Sequence, residues 1–242
     1  MSKVTVAAVQ MTYGLENAME KVREAASQGA QIILLPELFE NWYFCQEKSY
    51  ENYHLATTLE ENPAVRELRK IAHDFRVVLP VSYYERVGNT TFNTVAVIDA
   101  DGSILGQYRK THIPDDHFYQ EKFYFTPGDT GFKVWDTAYA KIGVGICWDQ
   151  WFPESARCMA LMGAEILFYP TAIGWLPTES REMNLAQHSA WETIQRAHAI
   201  PINAEIVLPP TTDQGWASGL AGTAKTRTAL APSGATSHAG TG

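Results

Sequence analysis

A chain of 242 residues with 45% hydrophobic composition is long enough for one sizeable core, and a single large α/β domain is the first expectation. Its net charge of −8, from 27 acidic against 19 basic residues, gives no general attraction for phosphate backbones, which argues against a nucleic-acid partner and suits a small cationic one. No stretch approaches the roughly eighteen apolar residues of a membrane-spanning helix, and the start, MSKVTVAAVQMTYG, lacks the apolar run of a secretory signal, so a cytoplasmic protein with no membrane partner is expected. The three cysteines, Cys45, Cys147 and Cys158, form no C-x-x-C pair, so neither a disulfide scaffold nor a zinc knuckle is supported.

In chain order, the short β-branched run VTVAAVQ (4–10) reads as a buried strand. Leu15, Ala18, Met19, Val22, Ala25 and Ala26 then recur at helical spacing, and Gly29 supplies the stop. IILLPE (32–37) is a second buried strand. Asn62-Pro63 is a cap followed by proline at the first helical position, ahead of a stripe through Val65, Leu68, Ile71, Ala72 and Phe75. Strands follow at 77–85, 93–110 and 141–147, the second broken by a hairpin turn at Asp101-Gly102. Pro153 opens another helix, AEILFYP (164–170) is a buried strand, and residues 184–199 form an amphipathic helix. ASQGAQIILLPE and ALMGAEILFYPT share one design of helix, Gly-Ala, apolar strand and proline, which predicts internal pseudo-symmetry. From Pro209 onward Ala, Gly, Ser, Thr and Pro dominate without apolar period, so 209–242 is expected to be a flexible atypical tail.

Sites in open α/β sheets lie beyond the carboxyl ends of strands, and Glu37, Cys147 and Thr171 fall at such ends. A thiol between a strand end and a helix start meets backbone N–H donors and a positive partial charge, which favour thiolate and could hold an oxyanion; a buried structural cysteine is the competing reading of Cys147. For Cys45 and Cys158 the structural reading is preferred. Glu37, after an apolar strand and Pro36, costs free energy unless paired or functional, and suits a general base. Lys110 and Glu121, each taken alone, read as solvated or paired charges. His112, His188 and His198 are candidates for a thiol–imidazole arrangement, without local signatures. HIPDDH (112–117) matches no metal-binding spacing, and no metal is expected.

With their neighbours these residues resemble the nitrilase superfamily of carbon–nitrogen hydrolases. LLPELFE carries Glu37, YRKTHIPD carries Lys110, GICWDQWFPE carries Cys147, and YQEK carries Glu121 as the family's second glutamate. The resemblance runs from about Val4 to about His198. It implies an α-β-β-α sandwich over residues 1–208, incomplete at its C-terminus, a Glu–Lys–Cys triad, no cofactor, and homo-oligomers. ELFENWYFCQ, HIPDDHFYQEKFYFTPGDTGFKVW and CWDQWFPESARCMALMGAEILFYPTAIGW resemble the branch that hydrolyses N-carbamoylputrescine to putrescine, carbon dioxide and ammonia in polyamine synthesis. That branch implies a small cationic carbamoyl substrate, an oxyanion donor at Trp148, and Tyr43, Trp175 and Asp116 as groups for the substrate's ammonium. Two alternatives stand: a related amidase acting on N-carbamoyl-β-alanine or another aliphatic amide, and an inactive truncated paralogue that only associates with intact subunits. The second is suggested by the abrupt switch to PINAEIVLPPTTDQGWASGLAG.

Overall fold

The computed structural model describes residues 3–202, 205–207 and 224–230. The elements run β1 (Lys3–Val9), α1 (Leu15–Ser27), β2 (Ile32–Leu34), α2 (Pro63–Phe75), β3 (Leu79–Val87), β4 (Thr90–Ile98), β5 (Ile104–Arg109), β6 (Val134–Asp136), β7 (Lys141–Val144), α3 (Pro153–Leu161), β8 (Ile166–Phe168), α4 (Arg181–Ile202), β9 (Glu205–Val207) and β10 (Ala224–Leu230). Three hydrogen-bonded groups of strands form, in the orders β10-β1-β2, β3-β4-β5 and β6-β7-β8-β9. Ile33 N donates to Val78 O at 3.0 Å and Val78 N to Gln31 O at 2.8 Å, which joins the first group to the second.

The alternation of side chains along each strand makes the layers. Val4, Val6, Ile32, Leu34, Val95 and Val97 point one way and pack against Ile142, Val144, Ile166 and Phe168 of the β6–β9 sheet. Their neighbours Ala7, Val9, Ile33, Leu35, Ala96 and Ile98 point the other way, onto Ala18 and Val22 of α1 and Leu68 and Ile71 of α2. On the far side Leu167 and Tyr169 meet Ala156 and Met159 of α3. Two sheets face one another with helices outside both, as expected from the sequence. The strands are apolar on both faces because both faces are covered.

Two glycines allow close packing here, Gly143 of β7 against α3 and Gly145 just after β7 against Tyr169. A Cβ on Gly143 would lie 2.8 Å from Met159 Sδ, and one on Gly145 would lie 2.5 Å from Tyr169 Cε1. The sequence echo is structural as well: α1 leads into β2, parallel to β1, and α3 leads into β8, parallel to β7.

The capped start of α2 is as the sequence reads. Asn62 Oδ1 accepts from Val65 N at 2.9 Å, while its Nδ2 donates to Glu40 Oε2 and Thr57 Oγ1, both at 3.0 Å. Asn62→Ala removes a cap and strands a buried N–H, so the urea-unfolding free energy is expected to fall by about 1–2 kcal/mol; a change under a few tenths would show the cap to be dispensable.

Several expectations need correction. The strands carrying Glu37 and Cys147 stop early, at Leu34 and Val144, because Pro36 cannot donate to a ladder and the chain turns sharply at Cys147. β6 and β9 were not foreseen, being three residues each. Within the stretch expected to be a flexible tail, Ala224–Leu230 forms a strand antiparallel to β1, with Lys3 opposite Leu230 and Val9 opposite Ala224. Its Thr-rich AKTRTAL sequence supplies β-branched residues, and the free edge of β1 supplies the backbone partners. The rest of that stretch, 209–223 and 231–242, lies outside the described residues. No helix among the described residues is long and apolar enough to cross a membrane.

Candidate active site

Glu37, Lys110 and Cys147 each sit just past a strand end, and Glu121 opens the short 3-10 helix Glu121–Phe123. Glu37 follows β2 by three residues, Lys110 follows β5 directly, and Cys147 follows β7 by three. The backbone fixes them. Lys110 N donates to Asn93 O on β4 at 2.8 Å, and Lys110 O accepts from Gly128 N at 2.7 Å. Cys147 N donates to Pro170 O at 2.9 Å.

Two residues of the cluster region hold left-handed backbone: Cys147, with φ 43°, and Leu38 beside Glu37, with φ 51°. Such geometry costs of order 1–3 kcal/mol in a residue with a Cβ, and collects where a side chain must be aimed. At Cys147 it lifts the thiol out of the line of β7 and starts the single-turn 3-10 helix Cys147–Trp151.

Glu37, Lys110 and Glu121 are all 0% exposed, and Cys147 is 6% exposed. Lys110 Nζ donates to Glu37 Oε1 at 2.8 Å and to Glu121 Oε2 at 2.7 Å. Glu37 Oε1 also accepts from Asn93 Nδ2 at 2.7 Å, and its Oε2 from Ala172 N at 3.0 Å. Glu121 Oε1 accepts from Tyr43 OH at 2.6 Å. Two carboxylates and one ammonium are thus enclosed together with every oxygen bonded, the condition for charge to persist in a dry site.

Burial alone would lower the Lys110 pKa, but the facing Glu121 and Glu37 carboxylates more than offset it, so the ammonium is held. Burial pushes the Glu121 carboxyl up to about 7 against the pull of Lys110, with Glu37 adding to the rise. The Cys147 thiol is pushed up by burial and then by Glu37; Lys110 and the Ala172 N–H act the other way. The Ala172 N–H, which donates to Glu37 Oε2, thus also acts on the thiol.

The sequence-derived substrate groups are spread more widely. Tyr43 is buried, with its hydroxyl on Glu121 rather than in solvent. Trp148, next to the thiol, is 37% exposed and packs edge-on to Phe152. Trp175 lines a pocket with Ile173, Asn184, His188 and Trp191, reached one residue beyond Ala172. Asp116 is exposed on the 112–120 loop, and its carboxylate accepts the His117 N–H. The three candidate histidines have other roles: His112 Nδ1 bonds Asp149 Oδ1 at 2.7 Å, His198 Nε2 bonds Gln150 O at 2.8 Å, and His188 lies between Trp175 and Trp191. Among the described residues no group of three His, Cys, Asp or Glu is placed to hold a metal.

Sequence reasoning missed Asn93, Ala172, Tyr13, Tyr119 and Asp149. Burial raises the Tyr13 and Tyr119 pKa values, and Glu37 and Cys147 add to the rise in both, which puts the two phenols beside the cluster. Asn93 had a signal, a polar amide within the apolar run NTVAVI. Ala172 had none, because it acts through its backbone.

A buried Glu–Lys–Glu cluster and a thiol on a sharp turn, set in a four-layer sandwich, coincide with a sequence-family match: residues 5–204 match the carbon-nitrogen hydrolase family. The chain belongs to the carbon-nitrogen hydrolase family and is a hydrolase of carbon–nitrogen bonds. Among particular relatives, it is 52% identical over 204 residues to an N-carbamoylputrescine amidase of Oryza sativa, covering 82% of this chain and 67% of that one. It is 50% identical over 205 residues to a citrullinase of Francisella tularensis, covering 82% of this chain and 71% of that one. A solved carbon-nitrogen hydrolase from Helicobacter pylori superposes with a TM-score of 0.82 at 38% identity, over 92% of this chain and 80% of that one.

Proposed function

We propose that the protein hydrolyses the terminal ureido group of N-carbamoylputrescine through a Cys147-bound carbamoyl intermediate. The supporting observation is the buried Lys110 ammonium clamped between Glu37 and Glu121, with the Cys147 thiol near enough for Glu37 and Lys110 both to act on it. The amidase relatives support the choice of substrate.

In this reading Glu37 takes the thiol proton as Cys147 Sγ attacks the ureido carbonyl carbon. The Lys110 ammonium has three donors, two of which bond Glu37 and Glu121, and its third N–H serves the new oxyanion together with the Trp148 N–H. A donor so placed contributes about 3–4 kcal/mol in other hydrolases. The tetrahedral adduct collapses with breakage of the C–NH2 bond; Glu37 returns the proton, and ammonia leaves. Water, deprotonated by Glu37, then attacks the alkylcarbamoyl thioester, and the thiolate departs and is reprotonated. The released carbamate loses carbon dioxide and leaves the free amine. Glu121, itself held by Tyr43, keeps Lys110 aimed. Trp175 and Asp116 serve the distal ammonium, through the ring face and the carboxylate respectively.

A second reading, hydrolysis of citrulline, is favoured by the citrullinase relative, since citrulline carries the same terminal ureido group at the same four-carbon distance from its ammonium and differs by a carboxylate on the carbon that bears it. Ammonia release from N-carbamoylputrescine, citrulline and N-carbamoyl-β-alanine decides between them. The expected order places kcat/KM for N-carbamoylputrescine at least tenfold above the others, about 1.4 kcal/mol of discrimination. Preference for either competitor overturns the substrate, and no ammonia from any of the three favours the inactive paralogue. Residues 1–208 are the proposed catalytic unit, in the cytoplasm and in homo-oligomers.

A further inference from the structure

Asp149 lies outside the triad, two residues past the thiol, and is 0% exposed. Its carboxylate accepts four hydrogen bonds, two on each oxygen. Oδ2 takes Ile146 N at 2.9 Å and Tyr108 OH at 2.8 Å; Oδ1 takes His112 N at 3.0 Å and His112 Nδ1 at 2.7 Å. The donors come from two separate pieces of chain. Ile146 immediately precedes Cys147, and Tyr108 and His112 lie two residues to either side of Lys110. One buried side chain therefore fastens the turn that presents the sulfur to the strand end that presents the ammonium.

We propose that Asp149 is a positioning residue that sets the Cys147 thiol against Lys110. The inference rests on Cys147 being the nucleophile, as proposed above. The turn at Cys147 is held in left-handed backbone, which persists only where surrounding bonds over-determine it, and the Ile146 N–H on Asp149 is one of those bonds. On the other strand end, His112 donates from both backbone and ring and stacks flat on Phe152, with centroids 3.7 Å apart and planes at 5°. Lys110 is the cation that favours the Cys147 thiolate, so a shift in their spacing weakens the nucleophile as well as misplacing it. Displacement of about 1 Å in such a site costs on the order of 10²-fold in rate.

The experiment follows Asp149→Asn, which keeps the volume but turns one acceptor oxygen into an NH2 facing two donors. Alkylation by iodoacetamide is timed at each cysteine by mass spectrometry, with exposed Cys158 as internal reference and buried Cys45 as a reporter of loosened packing. The expected result is alkylation of Cys147 slowed at least tenfold, Cys158 and Cys45 unchanged, and kcat for ammonia release down 10- to 100-fold with KM within about twofold. A purely structural role would instead expose both buried thiols and speed their reaction. Parent-like Cys147 reactivity in a folded Asp149→Asn variant overturns the proposal. Should that variant not fold, His112→Ala, at a half-buried side chain, decides instead: at least threefold slower Cys147 alkylation supports the clasp, and an unchanged rate overturns it. If Cys147 in the parent reacts no faster than Cys158, the nucleophile assignment fails, a result distinct from failure of the clasp.

Discussion

Cys147→Ala is expected to lower ammonia release at least about 10⁴-fold, to the background left by binding and oxyanion donors, while leaving the melting temperature close to that of the parent. Alanine is smaller than cysteine and fits the same turn, and the thiol accepts no bond that holds the fold together, so stability and activity separate. The φ of 43° is as demanding for alanine as for cysteine, so the strain is carried over unchanged. Glu37→Gln gives the complementary loss. Glutamine can still accept from Asn93 and Lys110 through its carbonyl, but it cannot take the thiol proton. Turnover by Cys147→Ala within tenfold of the parent would sink the thioester mechanism.

Lys110→Met behaves differently, because it damages fold and chemistry together. Methionine approximates the length of the lysine stem and removes the charge. Two fully buried carboxylates, Glu37 and Glu121, are then left facing each other without a cation. Breaking a buried charge set by removing one partner costs about 3–5 kcal/mol, so the urea midpoint should fall accordingly and activity should vanish. Adding Glu121→Gln removes one of the stranded charges and should recover part of the stability without recovering turnover.

The pH dependence of the Lys110→Met deficit has a definite sign. Burial already raises the folded-state pKa of Glu121 above its ordinary value, and loss of Lys110 raises it further. A carboxyl whose folded pKa is raised contributes its stability below the unfolded pKa and loses it as pH rises through the folded value. The variant should therefore be closer to the parent at pH 5 than at pH 8. A deficit under 1 kcal/mol at pH 8, or one larger at pH 5, would mean that the two carboxylates do not depend on Lys110.

How much of this was legible in advance depends on the kind of force involved. The strands carrying Val4, Ile33, Val97 and Leu167 were readable because both faces of each sheet are covered and the runs are apolar throughout. The cap at Asn62 was readable because it is local, satisfied three residues away. Glu37, Lys110, Cys147 and Glu121 could be named from motifs, yet the residues alone read Lys110 and Glu121 only as solvated or paired charges. What makes them unusual is that 73 residues separate Glu37 from Lys110 while their atoms lie 2.8 Å apart.

The sequence by itself determined the layered α/β design, the two echoed helix–strand units and the residue types at the strand ends, because periodicity, caps and turns act over a few positions. Only the tertiary structure decided that Lys110 is shared by two buried acids, that Ala172 offers its N–H to Glu37, that Asp149 ties Ile146 to His112, and that Ala224–Leu230 completes the edge of β1. Those are hydrogen bonds and ion pairs between distant segments. Their strength comes from exclusion of water, and no window of sequence contains the groups that exclude it.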